Sequence, residues 1–133
     1  MIRTLLSVTA SIALFACAAN GAPPSDRLLD AIATVESDNN PAAVGDGGKA
    51  IGVFQIHKVY WQDAVDHDPS IGGCYEDCRD PAYARRIVIA YMDRYAPANA
   101  SDETLARIHN GGPRGHKKSA TTKYWNKVKN QLK

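Results

Sequence analysis

The chain has 133 residues, enough for one hydrophobic core and too few for two domains. Its near-neutral charge hides an asymmetry: Cys17 to Ala106 carries 7 Lys/Arg against 14 Asp/Glu, whereas Arg107 to Lys133 carries 8 Lys/Arg and no acid. In the basic end aromatic interleaving is thin and no reader motif is present, so nucleic acid is not the expected partner; a polyanionic cell wall or a plain solvated face remain.

The first elements are a leader. Arg3 supplies a positive start, and Leu5 to Ala16 is apolar over about a dozen residues, the length of a signal core. A membrane-spanning helix needs ~20. Leu14-Phe15-Ala16-Cys17 has the form of a lipobox, which makes residues 1–16 a signal peptide and Cys17 the lipidated first mature residue. Ordinary cleavage near Cys17-Ala18-Ala19 is the alternative. The protein is expected to be exported, as a periplasmic or outer-membrane lipoprotein or as a secreted protein, with the lipid as its one membrane contact. Residues 17–25 read as a tether and 26–133 as the folded domain.

Ser25 is placed to cap a helix from Asp26 to about Ser37, in which Leu28, Leu29, Ile32 and Val35 recur at helical spacing. Asn39-Asn40-Pro41 stops it. Gly45, Gly47 and Gly48 mark a loop around Asp46, and Ile51 to Ile56 is β-compatible, predicting one small hairpin. Tyr60, Trp61, Ala64 and Val65 suggest a second helix, broken by Asp68-Pro69 and Gly72-Gly73. Cys74 and Cys78 form a local pair, expected as a disulfide in an oxidising compartment; with no second ligand pair nearby, no metal is expected. Asp80-Pro81 opens the clearest helix, with Tyr83, Ile87, Ala90 and Tyr91 on one face. Ser101 caps a shorter helix ending at Gly111-Gly112-Pro113, and a basic helix carrying Tyr124, Trp125, Val128 and Leu132 closes the chain. The fold class is α+β, mostly helical.

Two carboxylates stand out, Glu36 before the glycine loop and Asp46 within it. Glu36 sits at the C-terminal, negative end of its helix, where the dipole and apolar neighbours would raise its pKa and keep it protonated. That is what a general acid for glycosidic cleavage requires; a surface glutamate at a frayed helix end is the bland reading. Asp46 would be a nucleophile, a base for water or an electrostatic stabiliser, or simply a turn residue. Arg107 to Pro113 places His109, Asn110 and Gly111 at a helix end, suited to bonding a sugar. Tyr60, Trp61, Tyr124 and Trp125 offer flat faces for sugar rings or core packing.

Four runs occur in order: E-S-x-x-N-P-x-A-V-G-D-G-G-K-A-I-G-x-F-Q-I, Y-W-x-D-A, R-I-H-N-G-G-P-R-G and Y-W-x-K-V. Together they resemble the invertebrate-type (destabilase) lysozymes and their bacterial relatives over roughly Leu28 to Val128. The resemblance implies a lysozyme-like fold, with its hairpin beside the active-site cleft. It implies hydrolysis of the β-1,4 bond between N-acetylmuramic acid and N-acetylglucosamine in peptidoglycan, without a cofactor, by a monomer. It makes Glu36 the general acid and points to Asp46 as the second carboxylate, with Gln55, Tyr60, His109, Asn110 and Gly111 around the substrate. Animal members are rich in disulfides, and this chain retains only Cys74 and Cys78. Gly47, Gly48, Lys49 and Ala50 stand where some members carry an isopeptidase serine, so that activity does not carry over. The E-S, G-x-x-Q-I and N-x-G-P elements also resemble lytic transglycosylases and goose-type lysozymes, in which one glutamate suffices and a 1,6-anhydro product forms. A non-catalytic wall-binding lipoprotein is the third possibility.

Overall fold

The computed structural model describes residues 21–133; the leader, its cleavage site and Cys17 lie outside the described residues. The first helix, α1, runs over Asp26–Ser37, with the Ser25 hydroxyl accepting from the Leu28 N–H at 3.1 Å. Leu28, Leu29, Ala31, Ile32 and Ala33 form its buried stripe. The helix closes on two left-handed residues, Asp38 and Asn39, at φ 54° and 59°. Their N–H groups return to the Thr34 and Ala33 carbonyls, satisfying acceptors that the helix end would otherwise leave open.

The region after α1 folds into a three-stranded antiparallel meander of two-residue strands: β1 (Val44–Gly45), β2 (Ala50–Ile51) and β3 (Ile56–His57). Val44 pairs with Ile51 and Gly45 with Ala50; Ala50 in turn pairs with His57 and Ile51 with Ile56. The expected Ile51–Ile56 hairpin is present, and β1 extends it. Residues between β2 and β3 form a tight turn in which Gly52 and Gln55 have φ of 75° and 51°. A Cβ at residue 52 would lie 2.2 Å from the Cys78 carbonyl oxygen, so the turn can approach that backbone only as glycine.

Four further helices complete the domain: α2 (Lys58–His67), α3 (Pro81–Tyr95), α4 (Asp102–Gly111) and α5 (Thr122–Gln131). Asp80 caps α3 by accepting from the Tyr83 N–H at 3.0 Å, with Pro81 at the first helical position; Ser101 does the same for α4 through the Thr104 N–H. The α3 helix is the central element. It buries Ala84, Ile87, Val88, Tyr91 and Met92 between α2 and α4, while α1 packs on α5 and α4. Trp61 and Trp125 are partly buried against this core, and the Trp61 indole donates to the Tyr83 hydroxyl at 2.9 Å.

One expectation is corrected here. Cys74 and Cys78 are both free thiols, Cys74 exposed and Cys78 fully buried. Cys74 is the N-cap residue, in an extended conformation, of a 3-10 helix over Tyr75–Arg79 that itself carries Cys78. Cys78 therefore faces the core while Cys74 stays at the surface.

Candidate active site

The E-S pair at the end of α1 is fixed by its serine. Ser37 Oγ donates to the Val53 carbonyl at 2.8 Å, fastening the helix end to the β2–β3 turn, and accepts from the Asn40 N–H at 3.2 Å. Glu36, one residue earlier, then projects into a cleft of about 240 Å³. Asp46, Ala50, Gln55, His57, Tyr60, His109 and Asn110 line the same space. The two carboxylates singled out from sequence thus share one cavity, with the glycine loop on one side and α4 on the other.

Glu36 is held by residues from two other helices, with a third behind them. The Tyr124 hydroxyl of α5 donates to Glu36 Oε1 at 2.8 Å, and His109 Nε2 of α4 lies 3.3 Å from the same oxygen. The other nitrogen of that ring, Nδ1, is 2.9 Å from the Tyr60 hydroxyl of α2. Tyr60 itself is stacked on Tyr91 with ring centroids 3.6 Å apart. The glutamate side chain is 20% exposed and the histidine 4%.

This environment corrects the electrostatic expectation. Burial is the largest single influence on Glu36 and pushes its pKa up, as anticipated. The hydrogen bond and charge of His109, the Tyr124 bond and the charge of His57 pull the other way, and together they leave Glu36 below the ordinary glutamate value. The helix-end position alone could not disclose donors that arrive from α4 and α5.

Asp46 stands at φ 52°, a left-handed conformation that its short polar side chain tolerates. Its carboxylate is largely exposed and meets His57 Nε2 at 3.1 Å. Sequence reasoning missed His57 as a site residue. Only the sheet register, which pairs His57 with Ala50 just beyond the Asp46 turn, brings the two together. Tyr124 was read as a sugar-stacking or core residue; its contact with Glu36 spans 88 positions and leaves no local signal.

The remaining candidates divide. Asn110 is exposed at the cleft. Gln55 lines the cleft, but its amide donates to the Ala43 and Gly52 carbonyls at 3.2 and 3.0 Å, so it braces the loop that carries Asp46. Tyr60 and His109 are buried, and their contacts point to Glu36. Gly111 lies outside the lining: a Cβ there would meet the Thr121 methyl at 2.5 Å. Arg107 in the same run clamps the loop after α4, donating to Thr121 Oγ1 at 2.8 Å and the Lys118 carbonyl at 2.9 Å.

Residues 25–131 match the protein family described as Destabilase. The chain belongs to that family. Among its relatives, a lysozyme of Magallana gigas is 39% identical over 114 residues, covering 80% of each chain. Lysozyme 1 of Crassostrea virginica is 39% identical over 113 residues, covering 80% of this chain and 59% of that protein. The match to a lysozyme of Ostrea edulis, 44% identical, likewise covers 58% of its length, so the destabilase chain spans less than two thirds of these two relatives. An inhibitor-bound lysozyme from Meretrix lusoria superposes with a TM-score of 0.68 at 35% identity, covering 83% of this chain and 93% of that one. The Tapes japonica lysozyme gives 0.67 at 33% identity, covering 78% and 87%. The destabilase-family domain described here therefore has the fold of these lysozymes: mostly helical, with a small antiparallel sheet beside the cleft.

Proposed function

We propose that the protein is a lysozyme, hydrolysing the β-1,4 bond between N-acetylmuramic acid and N-acetylglucosamine in peptidoglycan. The observation that carries this reading is the cleft itself, where a pinned, largely buried glutamate and an exposed aspartate on a glycine loop line one cavity. Kinship with lysozymes in sequence and fold supports it. Protonated Glu36 gives its proton to the glycosidic oxygen as the bond to the anomeric carbon breaks. Asp46 faces the positive charge developing on the sugar ring, as nucleophile, stabiliser or base for the incoming water. Glu36, now a carboxylate, regains a proton when water adds. The apolar leader would deliver the chain to the compartment where peptidoglycan lies, and the lipobox at Cys17 would anchor it there.

Glu36→Gln keeps the size and hydrogen bonding of the side chain but cannot supply the proton. It is expected to abolish wall lysis, a loss of at least about a hundredfold, while circular dichroism and Tm show an intact fold. Mass spectrometry of digested wall should find reducing muramyl ends. Anhydro ends would instead identify a transglycosylase, and wall retention without fragments a binding protein.

A further inference from the structure

We propose that Tyr124, together with Tyr60 acting through His109, holds Glu36 by its Oε1 atom and reserves Oε2 for proton delivery to the glycosidic oxygen. The inference rests on Glu36 being the acid. Both groups that reach Glu36 converge on one oxygen: the Tyr124 hydroxyl at 2.8 Å and His109 Nε2 at 3.3 Å. Among the described residues no hydrogen bond engages Oε2. A carboxylate fixed at one oxygen rotates little, so the other is presented to the cleft in a single orientation, which is what proximity catalysis needs.

Tyr60 sets the histidine. Its hydroxyl is buried, and burial, its largest influence, keeps it protonated well above the ordinary tyrosine range. His109 is its hydrogen-bond partner in the structure. When the Tyr60 O–H donates to Nδ1, the ring carries its proton on Nε2, the atom facing Glu36. The Tyr60 hydroxyl, both ring nitrogens of His109, Glu36 Oε1 and the Tyr124 hydroxyl are then all engaged, and Oε2 is left to the cleft. The same donors stabilise the carboxylate left after proton transfer, so they act on the acid in both of its states. The groups facing Glu36 come from four elements besides the Asp46 loop: Tyr60 of α2, His57 of β3, His109 of α4 and Tyr124 of α5. Tyr60 and Tyr124 can each be changed to phenylalanine without altering volume.

The test uses Tyr124→Phe and Tyr60→Phe, with two readouts. The first is the pH profile of kcat and KM on wall suspensions. The second is the carboxyl ¹³C titration of Glu36, resolvable because the chain holds only three glutamates, Glu36, Glu76 and Glu103, and assigned with Glu36→Gln. Tyr124→Phe removes a donor to the ionised form, so the Glu36 titration and the alkaline limb of kcat/KM should both move to higher pH. At the plateau kcat should fall roughly tenfold or more, with KM changed less than about twofold. Tyr60→Phe, which frees the His109 tautomer, should move both in the same direction by less. Unchanged titration in both variants, with only a uniform drop in rate or Tm, would overturn the proposal. Should Tyr124→Phe fail to fold, the titration of Tyr60→Phe alone decides. A wild-type protein that cuts no wall, yet whose Glu36 titration shifts in these variants, would refute the lysozyme reading and leave the anchoring of Oε1 standing.

Discussion

Glu36 and Cys78 show how a side chain's chemistry follows from who surrounds it. In the resting cleft the donors outweigh burial, so Glu36 is ionised over most of the neutral range and the free protein is short of the protonated acid. A bound sugar displaces water and adds to burial, the influence that already pushes hardest toward the protonated form. The alkaline limb of kcat/KM, which reports the free enzyme, should therefore lie at lower pH than the limb of kcat, which reports the complex. Coincident limbs would show that the sugar does not retune the acid. Cys78 is governed by burial, which drives its thiol pKa up to about 12. A thiol that cannot ionise is a poor nucleophile. Iodoacetamide mapping of the native protein should label Cys74 and leave Cys78 untouched until denaturant is added; a Cys74–Cys78 disulfide would protect both.

Among the elements, the helices were legible because their start signals are local. Ser25, Asp80-Pro81 and Ser101 each bond an N–H within three residues, and each begins a helix where the sequence places it. The α3 cap supports the central helix, so Asp80→Ala should cost about 1 kcal/mol, read as a lower urea midpoint with an unchanged m-value. The sheet was less legible. Strands of two residues carry no alternation to detect, and β1 is recognisable only through its pairing with β2. The run from Arg107 to Pro113 was legible as a helix end, but which of its residues face the cleft was not. Arg107 and Gly115 brace the loop against α4, where a Cβ at residue 115 would stand 1.9 Å from the Arg107 carbonyl oxygen, and only His109 and Asn110 line the cleft.

Taken as one body, the domain is electrically divided. Arg114, Lys117, Lys118, Lys123, Lys127, Lys129 and Lys133 are all exposed, and α5, which carries three of them, also reaches Glu36 through Tyr124. On α5 the buried Val128 and partly buried Tyr124 and Trp125 take one side, leaving the lysines to solvent. Such a basic flank beside the cleft is suited to attract an acidic wall polymer, and the attraction should depend on salt. Sedimentation with purified wall should retain Glu36→Gln at low salt and release it progressively as salt shortens the Debye length from ~10 Å at 0.1 M to ~3 Å at 1 M; retention indifferent to salt would rule this out.

Local chemistry settled much in advance: five helices, the caps of three of them, the glycine loop, a glutamate before it and an aspartate within it. These depend on neighbours a few residues away, so the linear order records them. The partners of those carboxylates lie elsewhere in the chain. Tyr124 and His109 meet Glu36 because α5 and α4 pack on α1, Tyr60 of α2 meets His109 behind them, and His57 meets Asp46 because of a strand register. The direction of the Glu36 pKa and the state of Cys78 depend on such long-range neighbours, whose burial and hydrogen bonds exist only once the core has assembled.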